Sequence, residues 1–164
     1  MKRVVLLLSM MGVTVALCVT AAFAITDYGT TGDDILDGTA DQDILYGLPG
    51  DDTIRGFGDI DHLYGGADND TVRGQADPDV MFLGAGKDEG YGGGGGDAID
   101  GGPGTDTIFA GGGDDIVDAQ DGVEGNDFVL CGGGDGDLLI YVDSLDEYDR
   151  TTCEDFHTDP FPGW

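Results

Sequence analysis

A right-handed parallel β-roll, a short β-helix solenoid of nine-residue rows, is the all-β fold that the order of residues in this chain predicts. Three observations predict it. From Gly29 the sequence divides into consecutive nonamers, GTTGDDILD, GTADQDILY, GLPGDDTIR, GFGDIDHLY, GGADNDTVR, GQADPDVMF, LGAGKDEGY, GGGGGDAID, GGPGTDTIF and AGGGDDIVD, with no gap up to Asp118. The sixth place of the row is aspartate every time. The eighth place is apolar from Leu36, Leu45 and Ile54 through to Val129 and Leu139, with Gly90 as the one exception. A fixed period of this kind marks a solenoid, because one row buries too little apolar surface to fold alone and stacking supplies the core.

In chain order, the first element is the leader. Lys2 and Arg3 precede a nearly unbroken apolar run that ends in Ala22-Phe23-Ala24, a small-residue cleavage signature ahead of Ile25, so residues 1–24 read as a secretory signal peptide. The alternative is an uncleaved anchor, since the run from Val4 to Ile25 is just long enough to span a bilayer. Cleavage removes Cys18 and leaves Cys131 and Cys153, an even count that an oxidising compartment favours as a disulfide over free thiols.

The rows follow, over residues 25–140. The expected row is a glycine-rich turn and a strand of about three residues whose side chains alternate between faces, with only the eighth place facing inward. Parallel stacking then takes two rows per coil and gives two thin sheets. The fourth place is glycine or aspartate, with Asp41, Asp59, Asp68, Asp77 and Asp135 as the aspartates; both residue types tolerate left-handed turns. Pro49, Pro78 and Pro103 fall in turn places, as a sheet requires. Ala119, Gln120 and Asp121 read as an insertion, after which GVEGNDFVL and, past Cys131, GGGDGDLLI resume the period. Residues 141–164 form a cap and tail.

The formal net charge of -28 over 164 residues excludes two classes of partner. Nucleic acids and anionic membrane surfaces are polyanions and are repelled over the Debye length, and no part of the mature chain is expected to insert in a membrane. Cations are the natural counterpart. Disorder is the common fate of acidic, glycine-rich chains, but it does not place an acid at every ninth residue.

That placement creates an electrostatic problem. Same-side turns stack about 4.8 Å apart, so their sixth-place carboxylates form like-charge columns. At an effective dielectric of about 20, neighbours at that spacing repel by roughly 3 kcal/mol. A hard dication between turns reverses the sign. Calcium takes six to eight oxygen ligands in flexible geometry, whereas magnesium demands a tight octahedron and a soft metal wants imidazole or thiolate. The two histidines, His62 and His157, are far apart in the sequence.

The rows GGPGTDTIF and GGGGGDAID resemble the GGxGxDxUx nonapeptide of the RTX (repeats-in-toxin), haemolysin-type calcium-binding proteins, and the resemblance extends over roughly Gly29 to Ile140. It implies several Ca2+ ions held between successive same-side turns by turn carbonyls and by the sixth-place aspartates Asp34, Asp43, Asp52, Asp61, Asp70, Asp79, Asp97, Asp106, Asp115, Asp127 and Asp137. The fourth-place Asp41, Asp59, Asp68 and Asp77 join them as candidate oxygen donors. Several residues depart from the family pattern: Gly90 at the eighth place, Leu83 and Ala110 at the first, and the fourth-place aspartates of GTADQDILY, GFGDIDHLY, GGADNDTVR and GQADPDVMF. The closing segment from Cys131 is similar to that of secreted RTX-like proteins in which a last-row cysteine pairs with one in a CE dipeptide, which implies a Cys131–Cys153 staple on the cap. The tail with Phe156, Phe161 and Trp164 is expected to fold over the last row.

Catalytic signatures are absent from the sequence: it carries no HExxH or GxSxG, and its only serines are Ser9 and Ser144. The expected function is therefore calcium binding by a secreted, non-catalytic module that folds on calcium after export. One alternative is an accessory or adhesive protein that docks a cell-surface or matrix component through outward seventh-place residues, Ile35, Ile44, Val80, Ile116 and Phe128. A solenoid enzyme acting on polysaccharide is the remote one.

Overall fold

The computed structural model describes residues 23–119, 127–134, 136–141, 147–148, 153 and 155–156. The signal-peptide run up to Ala22, Gln120 and Asp121 of the predicted insertion, Asp135, and Phe161 and Trp164 of the tail lie outside the described residues.

Among the described residues the chain is all strand: β1 (Thr26–Tyr28), β2 (Ile35–Asp37), β3 (Ile44–Pro49), β4 (Thr53–Phe57), β5 (His62–Ala67), β6 (Thr71–Ala76), β7 (Val80–Ala85), β8 (Glu89–Gly94), β9 (Ala98–Asp100), β10 (Thr107–Gly112), β11 (Ile116–Asp118), β12 (Phe128–Gly133), β13 (Leu138–Tyr141), β14 (Glu147–Tyr148) and β15 (Asp155–Phe156). The odd strands form one sheet of eight and the even strands one of seven, in chain order within each. Every pairing is parallel, and partners such as Ile44 and His62 or Thr53 and Thr71 lie two rows apart. The chain is thus a parallel β-solenoid of two rows per coil, as the period predicts. No helix among the described residues is long and apolar enough to cross a membrane.

Strands are longer than the expected three residues. In β3, β5, β6, β7, β8, β10 and β12 they run to six, because the first three places of the next row continue the ladder. This lengthening changes which places face inward. The eighth-place Leu45, Ile54, Leu63, Val72, Met81, Ile108, Val117 and Val129 are wholly buried, as expected, but alternation carries the first place inward as well. Leu83, Ala110, Ala119 and Cys131 stand there and belong to the same core.

Two of the apparent irregularities in the sequence resolve at this point. A β-carbon built on Gly90 would lie 2.8 Å from a methyl of Leu83, so the leucine that replaces glycine at the first place fills the gap left by glycine at the eighth place of the same row. The row has exchanged its large and small inward residues. Ala119 and Cys131 correct the sequence reading. Both occupy first places of the core, and β10 pairs with β12 through Phe109 with Leu130 and Gly111 with Gly132, so the extra residues of both late rows follow these two positions in sequence.

Outward, the ninth place differs between the sheets. Tyr28, Tyr46, Tyr64 and Phe82 stack on one sheet, with ring centroids 4.9, 4.6 and 5.2 Å apart. On the other sheet Asp37 pairs with Arg55 at 2.9 Å, and Arg73 lies over the Tyr91 ring at 4.8 Å.

The Cys131–Cys153 disulfide that the resemblance implied is present, with its Cα atoms 5.2 Å apart and a sequence separation of 22. Closing a loop of that size is worth about 3 kcal/mol. Reduction is expected to lower the unfolding free energy by about that amount, measured by denaturation with and without reductant. An unchanged midpoint would mean that the pairing of β13 with β15 and of β12 with β14 holds the closing segment by itself.

Candidate metal centre

The sixth place lies two residues before the eighth, so strand alternation turns its side chain inward beneath the turn. Asp43, Asp52, Asp61, Asp70, Asp79, Asp88, Asp97, Asp106, Asp115, Asp127 and Asp137 are each 2% exposed or less, and Asp34 is half-buried. Two columns of buried carboxylates result, one at each edge of the solenoid.

Each carboxylate has two distinct oxygens. Oδ1 accepts the backbone N–H of the preceding same-side aspartate: Asp43 donates to Asp61 at 2.7 Å, Asp52 to Asp70 at 2.8 Å, Asp70 to Asp88 at 2.7 Å and Asp97 to Asp115 at 2.8 Å. The column continues past the insertion, where Asp106 N–H reaches Asp127 at 2.7 Å and Asp115 N–H reaches Asp137 at 3.1 Å. Oδ2 of Asp52, Asp61, Asp70, Asp79, Asp88, Asp97, Asp115 and Asp137 is buried with no hydrogen-bond partner. A buried, unsatisfied carboxylate oxygen is costly and calls for a ligand.

The surroundings of this oxygen repeat in the rows that have glycine at the first place. A β-carbon built on Gly47, Gly65, Gly74 or Gly92 would overlap the Oδ2 of the same row and the backbone carbonyl of the first place two rows on. Glycine at the first place therefore keeps a small oxygen-lined cradle free of side chain. Among the described residues no three acidic, histidine or cysteine side chains converge on one point, and the other oxygens beside Oδ2 in these rows are backbone carbonyls. A donor set made wholly of oxygen suits a hard cation and fits calcium.

The fourth-place candidates stand elsewhere. Asp59, Asp68 and Asp77 are exposed and adopt the left-handed backbone, with φ of 65°, 76° and 67°, while Asp41 is half-buried. Asp59 N–H donates to Asp77 Oδ2 at 3.2 Å. Asp88, which sequence reasoning left out of the ligand set, is buried in the column and accepts the Asp70 N–H as its neighbours accept theirs, with Leu83 in place of glycine at the first place of its row. An outer ladder at the fifth place also escaped it: Asp51 N–H donates to Asp33, Asn69 N–H to Asp51 and Lys87 N–H to Asn69, at 3.1, 2.9 and 3.0 Å. The signal was the Asp, Asp, Asn run in alternate rows.

Burial, reinforced by neighbouring carboxylates, pushes Asp61 and Asp115 up to about 6 and Asp70 and Asp79 up to about 7 against the hydrogen bonds that oppose it. Asp52, Asp88 and Asp97 are raised for the same first reason. An acid raised in the folded state contributes stability that is complete below its unfolded value, about 3.9, and is lost as pH rises through its folded value. Metal-free chain is therefore expected to gain strand signal in far-UV circular dichroism as a chelated sample is taken from neutral pH towards pH 4. A flat or falling signal would show that the column is not what keeps the metal-free chain open.

Fold and site together define a class: a parallel β-solenoid of acidic nonapeptide rows with carboxylate columns under its turns. The chain belongs to the RTX calcium-binding nonapeptide repeat family, whose four-copy model matches residues 28–56, 55–89 and 91–129, more than half of its length. Membership implies that the repeat module binds calcium. No curated protein and no solved structure matches the chain.

Proposed function

We propose that this chain is an exported, non-catalytic module that takes up several Ca2+ ions between its turns and folds on them outside the cell. The observation that supports this reading most directly is the row of buried Oδ2 atoms without partners, which in the rows of Asp52, Asp61, Asp70, Asp79 and Asp97 lie beside a first-place glycine and a carbonyl of the next same-side row. Sixth-place aspartates from Asp52 onward supply the carboxylate, and the ion offsets the repulsion that otherwise opposes stacking. Extracellular modules of this kind bind calcium at about 0.1 to 1 mM, so the ion acts as a signal that the chain has left the cytosol.

The test is a calcium titration of Ile25 to Trp164 followed by far-UV circular dichroism, with magnesium in parallel. A cooperative coil-to-strand transition with calcium alone is expected. A chain fully folded in chelator at neutral pH, or ordered equally by magnesium, would remove the proposal.

One observation favours a second reading, in which the folded module is accessory or adhesive. The outer face of the odd-strand sheet carries the stacked rings of Tyr28, Tyr46, Tyr64 and Phe82, and Ile116 on the same face is 44% exposed. Retention of the calcium-loaded chain on cell-surface or matrix preparations, lost on replacing Tyr46 and Tyr64 by serine, is the expected result. Retention unaffected by those changes would discard this face.

A further inference from the structure

We infer that the calcium column of this chain begins at Asp52, and that the turns of Asp34 and Asp43 form a metal-independent N-terminal cap in which a threonine stands in for the ion. The inference rests on the calcium reading above and divides the sixth-place aspartates into two kinds.

The division is visible at Oδ2. From Asp52 onward this oxygen has no hydrogen-bond partner in eight of the columns' carboxylates. In Asp34 it accepts both the backbone N–H of Thr30, at 2.5 Å, and the Thr30 hydroxyl, at 2.8 Å. In Asp43 it accepts the backbone N–H of Thr39. Oδ1 of Asp43 already accepts the N–H of Ile25, so both of its oxygens are satisfied within the protein. Each threonine hydroxyl also closes its own turn: Thr30 Oγ1 accepts Gly32 N–H at 3.3 Å and Thr39 Oγ1 accepts Asp41 N–H at 3.2 Å.

Backbone geometry shows the same division. At the second place of the row, Leu48, Phe57, Gly66, Gln75, Gly84, Gly93, Gly102, Gly111 and Gly132 all have positive φ, whereas Thr30 and Thr39, in the same place, do not. A β-branched residue resists the left-handed region. Threonine at the second place therefore holds the turn in the form that aims its N–H at the carboxylate. An N–H aimed into the cradle presents its positive end to any cation there, and ligation would require the carboxylate to give up hydrogen bonds to ionised oxygen, which are among the stronger kind. The two turns stand at the start of the stack, where a solenoid needs a closing element that does not depend on a neighbour.

The test is the number of Ca2+ ions bound per chain, measured by equilibrium dialysis against calcium alone. Asp61→Asn is expected to lower the count by at least one, whereas Asp43→Asn leaves it unchanged. The pair Thr30→Gly with Thr39→Gly frees the second place to become left-handed and is expected to raise the count. An Asp43→Asn loss equal to that of Asp61→Asn overturns the cap, as does a folded double-glycine variant with an unchanged count. If the parent chain binds no calcium at all, the calcium reading itself fails, and that result is distinct from both.

Discussion

Leu83→Ala is expected to destabilise the calcium-loaded fold by about 3 kcal/mol, the cost of removing a wholly buried leucine from a site that cannot collapse. The site cannot collapse because its neighbour across the core is Gly90, which has no side chain to move into the void. Gly90→Leu alone should cost about 2 kcal/mol, since its new β-carbon would stand 2.8 Å from a Leu83 methyl in a packed interior. The double variant Leu83→Ala with Gly90→Leu gives the row the small first-place and large eighth-place residues found at Ala110 and Val117, and should return to within about 1 kcal/mol of the parent. Its coupling energy is therefore large and favourable, as expected of residues that share one space. Denaturant unfolding at saturating calcium measures all three variants. Strict additivity would mean that the two residues do not compensate each other.

Asp70→Asn should act with opposite signs in the two states of the protein. The change keeps an oxygen for the Asp52 N–H, 2.8 Å away, and replaces the buried Oδ2 by an amide nitrogen. With calcium bound, a charged ligand is lost and the fold should weaken by about 2 kcal/mol, seen as a calcium midpoint raised more than tenfold. In chelator at neutral pH the same change removes a carboxylate that burial has pushed up to about 7, so the variant should be the more folded of the two. Circular dichroism of parent and variant under both conditions reads the crossing. Destabilisation in both conditions would place Asp70 in a structural role with no cation involved.

Much of this was legible in the sequence because the period is exact in its important places. Twelve sixth-place aspartates and a column of eighth-place aliphatics are enough to fix parallel stacking, two rows per coil and the inward carboxylates. The positions that escaped are those whose meaning depends on a neighbour in space. Leu83 and Gly90 looked like two defects when each was compared with the consensus of its own place; only the inward turn of the first place reveals them as one exchange. Ala119 and Cys131 looked like spacers because the extra residues of their rows can be placed on either side of them by pattern alone, and burial decides. The hydrogen bond from each aspartate N–H to the next carboxylate has no sequence signature, since it joins residues of the same type. Thr30 and Thr39 carried a signal that could have been read: they are β-branched residues in a place that is otherwise held in the left-handed backbone.

The pairing of every strand with the one two rows away also bears on how such a chain can grow or shrink during descent. Removing a single row, for example residues 56–64, would move every later row to the opposite sheet. Arg73 would then follow Tyr46 in the aromatic column, and Phe82 would follow Arg55 in the other. Removing two adjacent rows leaves every column in its place. The row of nine is the unit of chemistry, but the pair of rows is the unit of inheritance, and a lineage carrying two different outer faces is expected to change length in steps of two rows.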